Sequence, residues 1–176
     1  QINITGNRIC NLTNMLPGSS SDDAYGIYGA AGYNNLDMVC NLSDNIIFNL
    51  TSSYSWGISF TMEDILQFTG GTAIGSFNVI NNTVNGMYAT GGGVVNSLAG
   101  IYLFAKADYN NISGNKICNL SNSQDGGSIL GLAVRSNYFF SMGRYPYEKN
   151  LIYNNQVSLT NGELSDKQTS GYRGDS

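Results

Sequence analysis

Side chains able to move protons or hold metals are few in this chain. Its 176 residues include twelve Asp and Glu, eight Lys and Arg, three Cys and no His. Without His, Ser-His-Asp and Cys-His catalysis, His-ligated zinc and a His-based pH switch are excluded within this segment. Carboxylate pairs remain for acid–base work, and two stand out, Asp22-Asp23 and Glu63-Asp64. Such pairs become catalytic only when their environments separate their pKa values. If the protein is an enzyme, these four acids are the candidates, acting on a polysaccharide. The expectation is that they are solvating charges instead, because no basic side chain recurs at a matching offset.

The other candidates are read as structural. Calcium needs several converging oxygen ligands, and the glycine runs Gly70-Gly71 and Gly91-Gly92-Gly93 are followed by no Asp. No metal and no cofactor is therefore expected. The cysteines share one context, Ile9-Cys10-Asn11-Leu12, Val39-Cys40-Asn41-Leu42 and Ile117-Cys118-Asn119-Leu120, and are expected to be free, small packing residues. Seven Asn-x-Ser/Thr sequons occur, at Asn3, Asn11, Asn41, Asn49, Asn81, Asn111 and Asn119. They are expected to follow from the abundance of Asn, Ser and Thr rather than from glycan attachment. The terminal Arg173-Gly174-Asp175-Ser176 resembles an integrin-recognition tetrapeptide, but nothing else in the chain accompanies it.

Composition bounds what must position these groups. Asn, Gly and Ser number 24, 22 and 20, so 66 of 176 residues are turn formers, and Pro occurs twice. That argues against helices and for many bends. Only 11% of residues are charged, and the net charge of −4 argues against a nucleic-acid surface. No stretch approaches the ~18 apolar residues of a membrane helix, so no membrane span is expected.

An internal repeat organises the chain. The segment Ile4-Thr-Gly-Asn-Arg-Ile9 recurs at Leu42–Ile47, Val79–Val84, Ile112–Ile117 and Ile152–Val157. Its Asn column is Asn7, Asn45, Asn82, Asn115 and Asn155, at intervals of 38, 37, 33 and 40 residues. The residue before each Asn is only ever Gly, Asp or Asn, the types that tolerate positive φ at least cost. A sharp bend is predicted there, flanked by short aliphatic strands. Copies stacked at strand spacing, ~4.8 Å, let the Asn amides form a hydrogen-bonded ladder. Three residues beyond the second aliphatic stand Leu12, Leu50, Met87 and Leu120, and then Thr160, so the fifth copy decays. A weaker column follows at Gly26-Ile27, Gly57-Ile58, Gly100-Ile101 and Gly131-Leu132. Tyr28 and Tyr102 come next to it and point outward if the aliphatic points in, available to a sugar or a neighbouring chain. The inward stack is expected to be Ile9, Ile47, Val84, Ile117 and Val157. Three short strands per repeat give a parallel β-solenoid.

The Asn column followed by a Gly-Ile strand resembles the right-handed parallel β-helix repeat family. The phrasing from Asn11-Leu12-Thr13 to Gly26-Ile27 and from Asn49-Leu50-Thr51 to Gly57-Ile58 is similar to segments of long secreted bacterial surface proteins. The resemblance implies an all-β chain of about four coils over residues 1–160, with an irregular segment at 161–176. It also implies a structural or adhesive role in a secreted or cell-surface protein or filament. Partners would be neighbouring solenoid segments of the same or another chain, or surface polysaccharide. The alternatives are a polysaccharide-active enzyme and a phage tailspike segment. The repeat begins without a polar cap, so a piece of a longer chain is expected.

Overall fold

The computed structural model describes residues 1–14, 22–31, 37–62, 74–90, 98–104, 109–123, 127–135, 149–159 and 169–174. Among these there are fifteen β-strands and no helix, hence no helix long and apolar enough to cross a membrane. All strand pairing is parallel, in three five-stranded sheets visited in rotation. The first holds β1 (Ile2–Thr5), β4 (Asp37–Ser43), β7 (Ile74–Ile80), β10 (Tyr109–Ser113) and β13 (Lys149–Tyr153) in that order. The second holds β2 (Arg8–Asn14), β5 (Ile46–Ser52), β8 (Thr83–Ala89), β11 (Lys116–Asn122) and β14 (Gln156–Leu159). The third holds β3 (Asp23–Ala31), β6 (Tyr54–Met62), β9 (Leu98–Phe104), β12 (Ile129–Arg135) and β15 (Thr169–Gly174). Each run of three consecutive strands thus adds one strand to every sheet.

Registers stack like on like. Ile9, Ile47, Val84, Ile117 and Val157 form one column of the second sheet. Ile4, Leu42, Val79, Ile112 and Ile152 align across the first sheet, and Ile27, Ile58, Ile101 and Leu132 across the third. The inner members of these rows meet in one buried cluster between the sheets, with Ile4, Ile9 and Val157 packed partly buried against it and Ile152 exposed at the end of its row. Aliphatic rows stacked between parallel sheets need no charge in the interior, which suits so lightly charged a chain.

All nine positive-φ residues among those described fall in two columns. One is the expected bend: Gly6, Asp44, Asn81, Gly114 and Asn154, with φ between 54° and 70°. The other is Asn11, Asn49, Gly86 and Asn119, in mid-strand, with φ between 55° and 65°. There the burial alternation of β5 slips phase: Ile47 is buried, Asn49 exposed and Leu50 buried again. One left-handed residue therefore turns two aliphatics, three apart, to the same face.

The fifth triplet corrects the sequence pattern at two places. Strand β14 lacks the left-handed residue, so its register shifts and Leu159 falls in the column of Leu12, Leu50, Met87 and Leu120. The column continues through Leu159 because one residue has been removed, and Thr160 lies outside the described residues. Beyond the repeat pattern, Thr169–Gly174 forms β15, parallel to β12, with Leu130 opposite Ser170 and Leu132 opposite Tyr172. Gly171 thereby joins the register of Gly131, but without an aliphatic after it the copy carries no recognisable signature. The structure holds five triplets where the pattern predicts about four repeats.

Glycine in that third-sheet column is required by close approach. A Cβ at Gly57 would stand 2.5 Å from the Gly100 carbonyl oxygen and 2.5 Å from Val84 Cγ1. The third sheet is drawn onto the aliphatic row of the second at these points, leaving no room for a side chain.

Candidate functional site

Two arrangements of polar and aromatic side chains are built by this framework. The first is the corner between the first and second sheets. Asn7, Asn45, Asn82, Asn115 and Asn155 are joined in series there, each Nδ2 donating to the next Oδ1 at 2.9–3.0 Å. The same Oδ1 atoms accept the preceding Asn backbone N–H at 2.9–3.1 Å. The second amide hydrogen reaches back one triplet, from Asn45 to the Ile4 carbonyl, Asn82 to Leu42, Asn115 to Val79 and Asn155 to Ile112. Asn45, Asn82 and Asn115 are essentially fully buried, and each uses both lone pairs and both hydrogens of its amide. Only Asn matches that geometry: Asp would bring a charge and no donor, Ser too few groups. This corner is a device for holding triplets together, and its donors and acceptors are consumed in doing so.

A second, outer row of amides runs beside it. Asn78 donates to Asn41 at 2.8 Å and Asn41 to Asn3 at 2.7 Å, and Asn49 donates to Asn11 at 3.1 Å. The rows explain six of the seven sequons. Asn3, Asn41 and Asn111 share one register, and Asn11, Asn49 and Asn119 share another, the latter left-handed. The Asn-x-Ser/Thr spacing is the spacing of two stacking positions. The repetition of sequons at the repeat period was the signal of these rows in the sequence.

The second arrangement lies on β3 and β6, on the face away from the main core. Tyr25 and Trp56 are opposite each other in register, and their rings stack at 4.7 Å with 10° between planes. Tyr54 continues the stack, 6.1 Å from Trp56 at 15°. Tyr28 leans on Tyr25 at 4.8 Å, tilted by 53°. Of these rings Tyr28 is the exposed one, at 56%. The sequence carries the signal as an aromatic directly before the first two Gly-Ile pairs of the column, in Tyr25-Gly26-Ile27 and Trp56-Gly57-Ile58.

The candidate acids divide around this cluster. Asp22 is buried and its backbone carbonyl accepts the Tyr54 N–H at 2.9 Å. Asp23 is exposed, its Oδ2 accepts the Tyr25 hydroxyl at 3.4 Å, and its carbonyl is held by Asn14 Nδ2 at 2.9 Å. Partial burial raises the Asp23 carboxyl above the usual value and the neighbouring Asp22 adds to this, while the Tyr25 hydrogen bond opposes it. Burial, with the Asp23 charge beside it, pushes the Tyr25 phenol up to about 12. Tyr25 is therefore a hydroxyl donor at every physiological pH rather than a base. Glu63 and Asp64 lie outside the described residues. No group of three or more His, Cys, Asp or Glu side chains converges among the described residues.

Tyr28 and Tyr102 share a register column, with Ser59 of β6 between them. Tyr102 is half-buried and packs on a small second cluster of Ala99, Leu130 and Ala133. The two tyrosines thus stand two strands apart in different surroundings. All three cysteines are free thiols. Cys10 and Cys118 share a column with Phe48 and Asn85 between them, and burial pushes the Cys40 thiol up to about 11. Of the tetrapeptide at the end of the sequence, Arg173 and Gly174 complete β15, and Asp175 and Ser176 lie outside the described residues. No family model matches this chain, and neither the curated proteins nor the solved structures contain a match to it.

Proposed function

We propose that this chain is a segment of a right-handed parallel β-helix and that its role is structural or adhesive, in a secreted or cell-surface protein or filament. Three parallel sheets visited in rotation, with like residues in register, support the solenoid. The right hand is supported by the general preference of parallel crossovers within one sheet, right-handed in about 98% of cases. One observation carries the role: the recurrent polar side chains of the interior are amides whose hydrogen-bonding capacity goes into joining one triplet to the next. Stacked units of this kind, with loops of unequal length between them, build an elongated display surface. Natural partners are further solenoid segments, whose strands would extend the same three sheets.

The enzymatic alternative needs a carboxylate pair at glycosidase separation, about 5–10 Å, one acting as acid and the other as base or nucleophile. Reducing-sugar release from a panel of neutral and acidic polysaccharides tests the choice. The expected result is no release. Release that vanishes in Asp23→Asn or Glu63→Gln would overturn the structural role.

A further inference from the structure

We propose that the aromatic cluster on β3 and β6, with the Asp23 carboxylate at its rim, is a binding site for a neutral oligosaccharide. Tyr28 supplies the platform. It is 56% exposed and leans out of the Tyr25–Trp56–Tyr54 stack by 53°, so a ring face stays clear of the other rings. The apolar CH face of a pyranose fits against such a ring, as aromatic side chains with one apolar and one wet end are suited to do. The ring is held in place by a stack rooted in two paired strands, so little order is lost on binding.

The polar half of the site is Asp23. One phenol ring separates it from Tyr28: the Tyr25 hydroxyl reaches Asp23 Oδ2, and the Tyr25 ring touches Tyr28 at 4.8 Å. A carboxylate engaged by a single neutral donor keeps acceptor capacity for sugar hydroxyls. The chemistry also selects against other ligands. Asp22 and Asp23 side by side, in a chain of net charge −4, repel sulfated or uronic chains. A proline-rich peptide needs clefts between ring faces, and Tyr25, Trp56 and Tyr54 lie within 15° of parallel, leaving none between them. The site adds to the structural role and does not rest on it, since binding requires no turnover.

Trp56 is the only tryptophan of the chain, so its emission reports on this cluster alone. The 176-residue chain is titrated with dextran, mannan, laminarin and galactomannan, alongside polygalacturonate and poly-L-proline. At least one neutral polysaccharide is expected to shift the Trp56 emission saturably. Tyr28→Ala should then weaken binding by about tenfold, the factor one stacking contact supplies, with circular dichroism unchanged. Asp23→Asn, which leaves every ring in place, should weaken it as well. Silence across the neutral panel overturns the proposal, as does wild-type binding by either variant. A response confined to polygalacturonate or to poly-L-proline overturns it too, in favour of an anionic chain or a peptide. Reducing-sugar release accompanying binding would count against the structural role and leave this site standing.

Discussion

The corner between the first and second sheets and the connections to the third sheet solve the same problem in opposite ways. Every passage from first to second sheet takes two residues: 6–7, 44–45, 81–82, 114–115 and 154–155. Passages into and out of the third sheet range from the single Ser53 between β5 and β6 to the thirteen residues 136–148 between β12 and β13. The difference is the buried asparagine. At the corner the first residue of each turn is exposed, but Asn45, Asn82 and Asn115 behind it are buried, so their polar groups must find partners in the neighbouring triplets. Gly6, Asp44, Asn81 and Gly114 donate their N–H to carbonyls of the following triplet, and the asparagines take the rest. Connections without such a column are in general free to vary in length, and the passages to and from the third sheet do vary. Invariance in this molecule marks a hydrogen-bonding problem.

The largest test removes a ladder amide. Asn115→Ala strands the Asn82 amide and N–H and the Val79 carbonyl, all of which bond to it. Each buried group left unpaired costs about 1–3 kcal/mol, so a loss of at least 3 kcal/mol is expected in chemical denaturation. Ser123→Ala, in an exposed position just after β11, keeps its backbone bond to the Ala89 carbonyl and should change stability by less than about 0.5 kcal/mol. Equal midpoints for the two variants would remove the distinction between corner and connection.

A second test asks what returns a variable connection to register. Strand β6 arrives after one residue and β9 after eight, yet Gly57 and Gly100 meet in the same column. If close approach at the glycine sets this register, Gly57→Ala forces a Cβ into the Gly100 carbonyl and Val84. Overpacking of this kind costs about 1–3 kcal/mol. The same change at Gly29 drives a Cβ into the buried Phe60 ring, which packs on Phe77 and cannot swing clear, and should cost at least as much. A Gly57→Ala midpoint equal to wild type would mean that the aliphatics on either side set the register unaided.

These contrasts also show what could be read from residue order alone. The bend, the Asn column and the inward Ile9–Val157 row were legible because each repeats a residue type forced by backbone conformation or hydrogen bonding. The mid-strand left-handed column was visible as Asn-Leu, Asn-Leu, Gly-Met and Asn-Leu, but Asn11, Asn49 and Asn119 read equally well as sequons. Strand β15 left no trace because pairing through backbone atoms asks little of side chains: Tyr172 sits in the register column that holds Ile27, Ile58, Ile101 and Leu132 in the other triplets. The aromatic cluster escaped for a related reason. Tyr25 and Trp56 become neighbours only through a 31-residue register offset, whereas the aliphatic columns make Tyr28 and Tyr102 look like the pair.

The smallest effect concerns Asp23, the first residue of β3 after one of the variable connections. Its carboxyl is raised by partial burial and by Asp22, against the Tyr25 hydrogen bond. A carboxyl raised on folding binds protons more tightly in the native state than in the unfolded one. Its favourable contribution is therefore complete below the unfolded value of 3.8 and is lost as pH rises through the higher folded value. At neutral pH the charged group weighs slightly against folding, and because Asp23 is largely exposed, solvent screening keeps the effect small. Asp23→Asn should thus melt marginally above wild type at pH 7 and at the same temperature near pH 3, the gap opening between the two. A variant that melts below wild type at pH 7 but not near pH 3 would show that the hydrogen bond from the Tyr25 hydroxyl to the ionised carboxylate, stronger than an amide oxygen can accept, outweighs burial and Asp22. The rim of the aromatic cluster would then be held by that hydrogen bond, much as the corner is held by its amides.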